Sequence, residues 1–221
     1  DTSLGVRTQS VQSDAEILRW MAKVHRHHES SFSAKELGRP KSEWTEWVTE
    51  LDEEGGTRRY QREKRIGTRE LSLLSGVKEA RQLTVPAAHA NDPRPFEVVG
   101  IPLPGPGYHV IELSSARLGA SLLARKVPMY VRTGVLVSNM GVHVKLGRDG
   151  ASVWVTSLDK GKPVADADVA INDCRGEALW RGRTNRDGLA QVQQALAVSR
   201  DQRCLVSDGL FVTARKQLKD G

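Results

Sequence analysis

Cysteine is nearly missing from this 221-residue sequence, Cys174 and Cys204 being the only two. They stand 30 positions apart and outside any Cys-x-x-Cys pair, so the spacings of zinc sites and thioredoxin-type redox centres are absent. No stretch approaches the roughly 18 consecutive apolar residues that a membrane-spanning helix needs. No basic-then-apolar leader follows Asp1, so a signal peptide is expected to be absent or already removed. The short motifs of hydrolytic catalysis are missing too: there is no Gly-x-Ser-x-Gly and no His-Glu-x-x-His. Acidic residues (27) are outnumbered by basic ones (33), and the resulting net charge of +6 invites a nucleic-acid reading. The densest basic run, from Arg58 to Arg65, contains Glu63, and elsewhere the two signs alternate as on a solvated face. Without a nucleic-acid fold motif beside the charge, no nucleic-acid partner is expected.

What is present suggests two modules. The length exceeds that of one small sandwich, and each half can bury a core of its own. The first half opens with a helix. Ser13 and Glu16 have capping-box spacing, and Ile17, Leu18, Met21 and Val24 recur at helical intervals through about Arg26, with Trp20 alongside. Trp44, Trp47, Val48 and Leu51 predict a second short amphipathic segment, capped at Ser42 and ended by Gly55-Gly56. Short extended pieces follow at 71–74, 81–85 and 96–103, then a turn at 104–107 and a closing strand at 108–113. Residues 114–126 read as a connection.

The second half is all-β. Strands are expected at 129–137, 142–146, 152–156, 169–171, 178–180, 190–192, 204–206 and 210–212, with turns at 147–150 and 159–163. The boundary is placed near Val127, giving modules 1–127 and 128–221. Both cysteines fall in the second module. An even count there suits one disulfide, Cys174 to Cys204, and an oxidising compartment; two unpaired core thiols are the alternative.

Candidate sites are few. His25, His27, His28 and Glu29 have metal-ligand chemistry, but adjacent residues on a helix do not share a face, so no metal is expected. His109 and His143 lie in strand-like runs beside serines, and solvent-facing strand histidines are the expected outcome. Trp154 and Trp180 are read as core aromatics; exposed instead, they would suit a carbohydrate-binding module or adhesin array. Neither catalytic residues nor a cofactor are expected.

Three stretches carry a family resemblance. Gly161-Lys162-Pro163-Val164, continuing through Ala167 and Val169, and then Thr184, Gly188 and Ala190, resemble the turn signature of secreted Ig-like and macroglobulin-type sandwiches. The run from Pro106 to Ser114, followed by Val131-Arg132-Thr133, the run from Val135 to Lys145 and the run from Val153 to Asp159, resembles bacterial alpha-2-macroglobulins where one macroglobulin-like domain ends and the next begins. The resemblance implies two macroglobulin-like antiparallel β-sandwiches, the first with a helical insertion. It also implies a large periplasmic protein, often lipid-anchored to the inner membrane, that entraps proteases after they cleave a bait segment. Expected partners are proteases (through the intact protein), neighbouring macroglobulin domains and, further afield, a cell-wall synthesis enzyme or other periplasmic proteins. The family's thioester motif is Cys-Leu-Glu-Gln. Cys174 is followed by Arg175, and Cys204 by Leu205-Val206, so both are expected to be architecture rather than chemistry.

Overall fold

Alternating and β-branched sequence makes strand the dominant regular element among the described residues. The computed structural model describes residues 4–28, 30–53, 55–85, 98–198, 204 and 209–216. Strand β1 (Gly5–Val11) leads into helix α1 (Asp14–Arg26). Ser13 caps the helix: its hydroxyl accepts from the Glu16 amide (3.4 Å), the half of the capping box that the spacing predicts, while the Glu16 carboxylate takes the Ser13 hydroxyl (2.7 Å) instead of the Ser13 amide. Then come β2 (Ser31–Ser33), β3 (Thr45–Leu51), β4 (Thr57–Glu63), β5 (Arg65–Gly67), β6 (Arg81–Thr84) and β7 (Gly107–Ser115). Helix α2 (Ala116–Leu122) precedes β8 (Met129–Val137), β9 (Met140–Leu146), β10 (Ala151–Ser157), β11 (Asp168–Asp173), β12 (Ala178–Arg183), β13 (Leu189–Val192) and β14 (Leu210–Arg215). The protein is mainly β, built from several antiparallel sheets.

The chain forms two units. One comprises Asp1–Gln9, Val24–Leu103 and Val110–Thr133; the other comprises Ser10–Lys23, Pro104–His109 and Gly134–Gly221. The chain therefore first enters the second unit at Ser10, rather than only after a single junction near Val127.

The first unit is organised around the sheet β6-β1-β7-β8, with β1 and β6 antiparallel through Val6↔Leu83. Five consecutive residues of β7, from Tyr108 to Glu112, are buried, so this strand is covered on both faces. Two ribbons accompany the sheet, β2-β5 and β3-β4. The second ribbon corrects the amphipathic segment expected at 44–51. Thr45, Val48 and Thr49 are stiff at χ1 and fit a pleated strand better than a helix. Gly55, at φ 81°, turns the chain so that Trp47 faces Gln61 and Glu46 faces Arg62. Two further expectations need correction. Residues 114–126 contain α2, whose cap is Ser115 accepting from the Leu118 amide (3.2 Å). Residues 71–74 and 98–103 form no strand; Pro102 and Pro104 remove amide donors there. Phe96 and Glu97 lie outside the described residues.

The second unit is a sandwich with a helical cap. Sheet β13-β10-β9 packs against sheet β12-β11-β14 around Ala151, Val153, Val155, Ala167, Val169, Ile171, Ala190 and Val192. Each buried valine or isoleucine contributes about 1.5–3 kcal/mol. The signature residues fasten this core together. Thr184 Oγ1 donates to Val164 O (2.7 Å) and accepts from the Ala167 amide (2.9 Å), and Pro163 bridges to Thr156. Gly188 has φ 71°, and a Cβ there would meet Val155 O at 2.5 Å. The expected strands at 129–137 and 210–212 are β8 and β14; Leu205 and Val206 lie outside the described residues. On the outer face of β12-β11-β14, the first turns of α1 bury Leu18. There a Cβ on Gly176 would stand 3.0 Å from Ala15 Cα.

Candidate functional site

Cys174 and Cys204 are joined in a disulfide, with Cα atoms 4.9 Å apart. Cys174 is fully buried in the turn that leaves β11. Asp173 builds that turn, accepting from the amides of Arg175 (2.9 Å) and Glu177 (2.8 Å) and from Arg175 Nε (3.3 Å). Burial alone would raise the Asp173 pKa, but these donors hold it below the usual carboxylate value. A sulfur committed to a disulfide cannot carry a thioester. Here the cysteine chemistry is a brace.

The histidines separate into different roles. His25 and His28 are exposed near the end of α1. The His27 ring lies 4.9 Å from Phe32, and Glu29 is outside the described residues. Among the described residues no three His, Cys, Asp or Glu side chains are grouped to hold a metal. His143 is exposed beside Trp154, their ring centroids 5.5 Å apart. His109 overturns the solvent-facing expectation, for it is 2% exposed. Its Nε2 donates to Gly105 O (2.9 Å) and its Nδ1 is hydrogen-bonded to the Ser10 hydroxyl (3.0 Å), so both ring nitrogens are satisfied. The ring ties β1 to the turn before β7.

The pattern of β7 hides a second buried polar group. Glu112 is 1% exposed, and its carboxylate accepts from Ser72 Oγ and from the amides of Leu73 and Leu74. Arg7 stands 3.7 Å away. On β8, Arg132 is also buried and gives its guanidinium to four carbonyls: His27 (2.9 Å), Thr68 (2.9 Å), Leu71 (3.2 Å) and Tyr130 (2.9 Å). Burial lowers the Arg132 pKa and the Glu112 charge works against that shift. Both residues gather irregular backbone around the sheet. A charged residue within the apolar run from Tyr108 to Leu113 was the available signal for Glu112; Arg132 offered none, because its acceptors are distant in sequence.

The basic run is locally committed. Arg62 pairs with Glu46 (2.9 Å) and Arg65 with Glu63 (3.2 Å). Arg59 lies over Trp47 at 4.9 Å and Arg58 over Tyr60 at 5.7 Å. Trp180 packs against the sandwich core. Trp154 faces away from the buried Val153 and Val155, is 42% exposed, and donates from Nε1 to Asp187 O (3.1 Å).

These arrangements brace and position backbone. Residues 137–220 match the family described as "Bacterial alpha-2-macroglobulin MG3 domain". Over these residues the chain is similar to a bacterial alpha-2-macroglobulin domain. Two curated relatives, the alpha-2-macroglobulins of Xylella fastidiosa strains Temecula1 and 9a5c, each align at 33% identity over 60 residues. Those residues are 27% of this chain and 4% of the relatives' length, so the match spans only a small part of those alpha-2-macroglobulins. Two crystal structures of native alpha-2-macroglobulin from Escherichia coli are similar at 13% identity. The one spanning domains MG0-NIE-MG1 gives a TM-score of 0.44 over 98% of this chain and 52% of that chain. The one spanning NIE-MG1 gives 0.47 over 98% and 80%. Likeness this low assigns no domain by itself. The MG3 match covers β9 through β14, the strands of the sandwich.

Proposed function

We propose that this chain is a scaffold piece of a longer, protease-trapping bacterial alpha-2-macroglobulin, holding neighbouring domains without performing chemistry itself. The observation that carries this reading is the MG3 match over residues 137–220, laid on a sandwich whose cysteines are tied in a disulfide. In such a protein a protease cuts a bait segment elsewhere and the surrounding domains close on it. This chain would contribute stiffness and domain contacts. The disulfide fits an oxidising compartment, and the periplasm, with the longer protein anchored at the inner membrane, is the location proposed. Proteases are partners of the whole protein, and adjacent macroglobulin domains are partners of this piece.

The test compares the longer protein with this chain. A broad-specificity protease is mixed with each, and its attack on a large protein substrate is followed beside its attack on a small peptide. The longer protein should slow the first and spare the second; this chain alone should slow neither. Stoichiometric inhibition by the chain alone would overturn the scaffold assignment.

A further inference from the structure

Strand β9 is built like an interior strand and sits at an edge. It pairs with β10 in one unbroken ladder from Met140↔Ser157 to Leu146↔Ala151. Among the described residues it has no strand on its other side. The register puts Val142, Val144 and Leu146 opposite Val155, Val153 and Ala151, on the face that lines the core. Their partners are 0%, 0% and 6% exposed, yet Val142, Val144 and Leu146 are 38%, 45% and 48% exposed. The aliphatic row therefore continues past the point where the second sheet covers it.

Natural edge strands are blunted by proline, bulges, several charges or short length. β9 has seven residues, no proline and no register shift. Its one charge, Lys145, alternates onto the opposite face together with His143.

We infer that the free edge of β9 is completed by an extended segment, aliphatic at alternate positions, from another part of the longer alpha-2-macroglobulin chain. The inference rests on the scaffold reading above. Backbone amides and carbonyls of β9 supply the ladder, and the segment's apolar residues extend the row of Val142, Val144 and Leu146. The occupant is assigned to the same polypeptide because the aligned residues make up only 4% of the relatives' length, leaving most of such a protein available as neighbour. The wholly apolar inner row fits an obligate contact better than a transient, charged one.

Hydrogen exchange read by mass spectrometry tests this on the peptide covering 140–146. In the longer protein that peptide should exchange roughly tenfold more slowly than in this chain, since a paired edge strand opens less often. Val144→Lys in the longer protein should remove the difference while leaving the 151–157 peptide protected, which shows that the sandwich is intact. Equal exchange of 140–146 in the two unsubstituted proteins overturns the inference, whatever the variant does. Protection that appears in this chain alone as its concentration rises assigns the edge to a second copy, and also overturns it. A longer protein that traps proteases but leaves β9 exposed sinks this inference and spares the scaffold reading.

Discussion

The two units solve the same problem with different materials. In the second, aliphatic side chains from two sheets form one contiguous cluster, and a disulfide closes a loop at its margin. In the first, the buried residues include the charged Glu112 and Arg132 as well as Val6, Ile66, Leu74 and Val110, and each of the two charged groups satisfies several backbone groups. An aliphatic core is non-directional and tolerates modest changes of shape. A buried charge is directional, and stabilises only while its partners remain in place. The first unit has short ribbons and long irregular stretches, so it has backbone groups that a ladder does not satisfy. Its buried charges do that work.

The sharpest way to break this contrast is to remove Arg132. Arg132→Ala leaves four carbonyls short of a donor and Glu112 short of a favourable charge. The expected cost to the first unit is about 4 kcal/mol. Arg132→Met should rescue little, because it restores volume but no donors. Urea titration with hydrogen exchange on peptides from β1 and β7 measures the loss. If Arg132→Met were as stable as the parent sequence, the guanidinium would be acting as packing rather than as donor, and the two units would be alike.

The second unit has a counterpart at its disulfide. Closing a loop of this length destabilises the unfolded chain by about 3.6 kcal/mol. Reduction should lower the urea midpoint of peptides from β10 and β11, and the double variant Cys174→Ala, Cys204→Ala should match the reduced protein and ignore reductant. An unreduced protein whose midpoint is indifferent to reductant would mean that the aliphatic cluster alone sets stability there.

The same contrast explains what was readable from sequence. Period-2 alternation with a glycine turn located β9 and β10, because in a sandwich the local pattern and the long-range packing agree. The capping-box spacing located the start of α1 for a similar reason, since its atoms are three residues apart. In the first unit the determinants are remote. Arg132 finds its acceptors near residues 27, 68 and 71, and Glu112 finds its donors at Ser72, Leu73 and Leu74; no periodicity encodes either meeting. Trp47 was misleading for another reason. Its spacing to Leu51 suits a helix face, but the strand that decides its conformation, β4, begins only after the glycine turn.

The smallest expected effect concerns Asp14, where a polar contact serves the aliphatic unit. Its carboxylate accepts from Thr213 Oγ1 (2.9 Å) and Asn172 Nδ2 (3.3 Å) and pairs with Arg215, seating the first turn of α1 on the sheet β12-β11-β14. Burial pushes its pKa upward, but Arg215, Thr213 and Asn172 together hold it below its ordinary value of 3.8. In the window between the folded and unfolded pKa values the unfolded chain binds more protons, so stability rises with pH there. The contribution is complete above about pH 4 and fades as the pH falls below it. Asp14→Asn should cost about 1.5 kcal/mol at neutral pH, a modest figure because Arg215 is half exposed and partly screened. The gap between the two proteins should narrow as acid is added, measured as urea midpoints from pH 7 to pH 3. Some acid sensitivity must persist in the variant, because Asp173 is shifted in the same direction by its own donors. A gap that stays constant across that range would show that Asp14 seats the helix by shape and hydrogen bonding alone, and that charge matters only in the first unit.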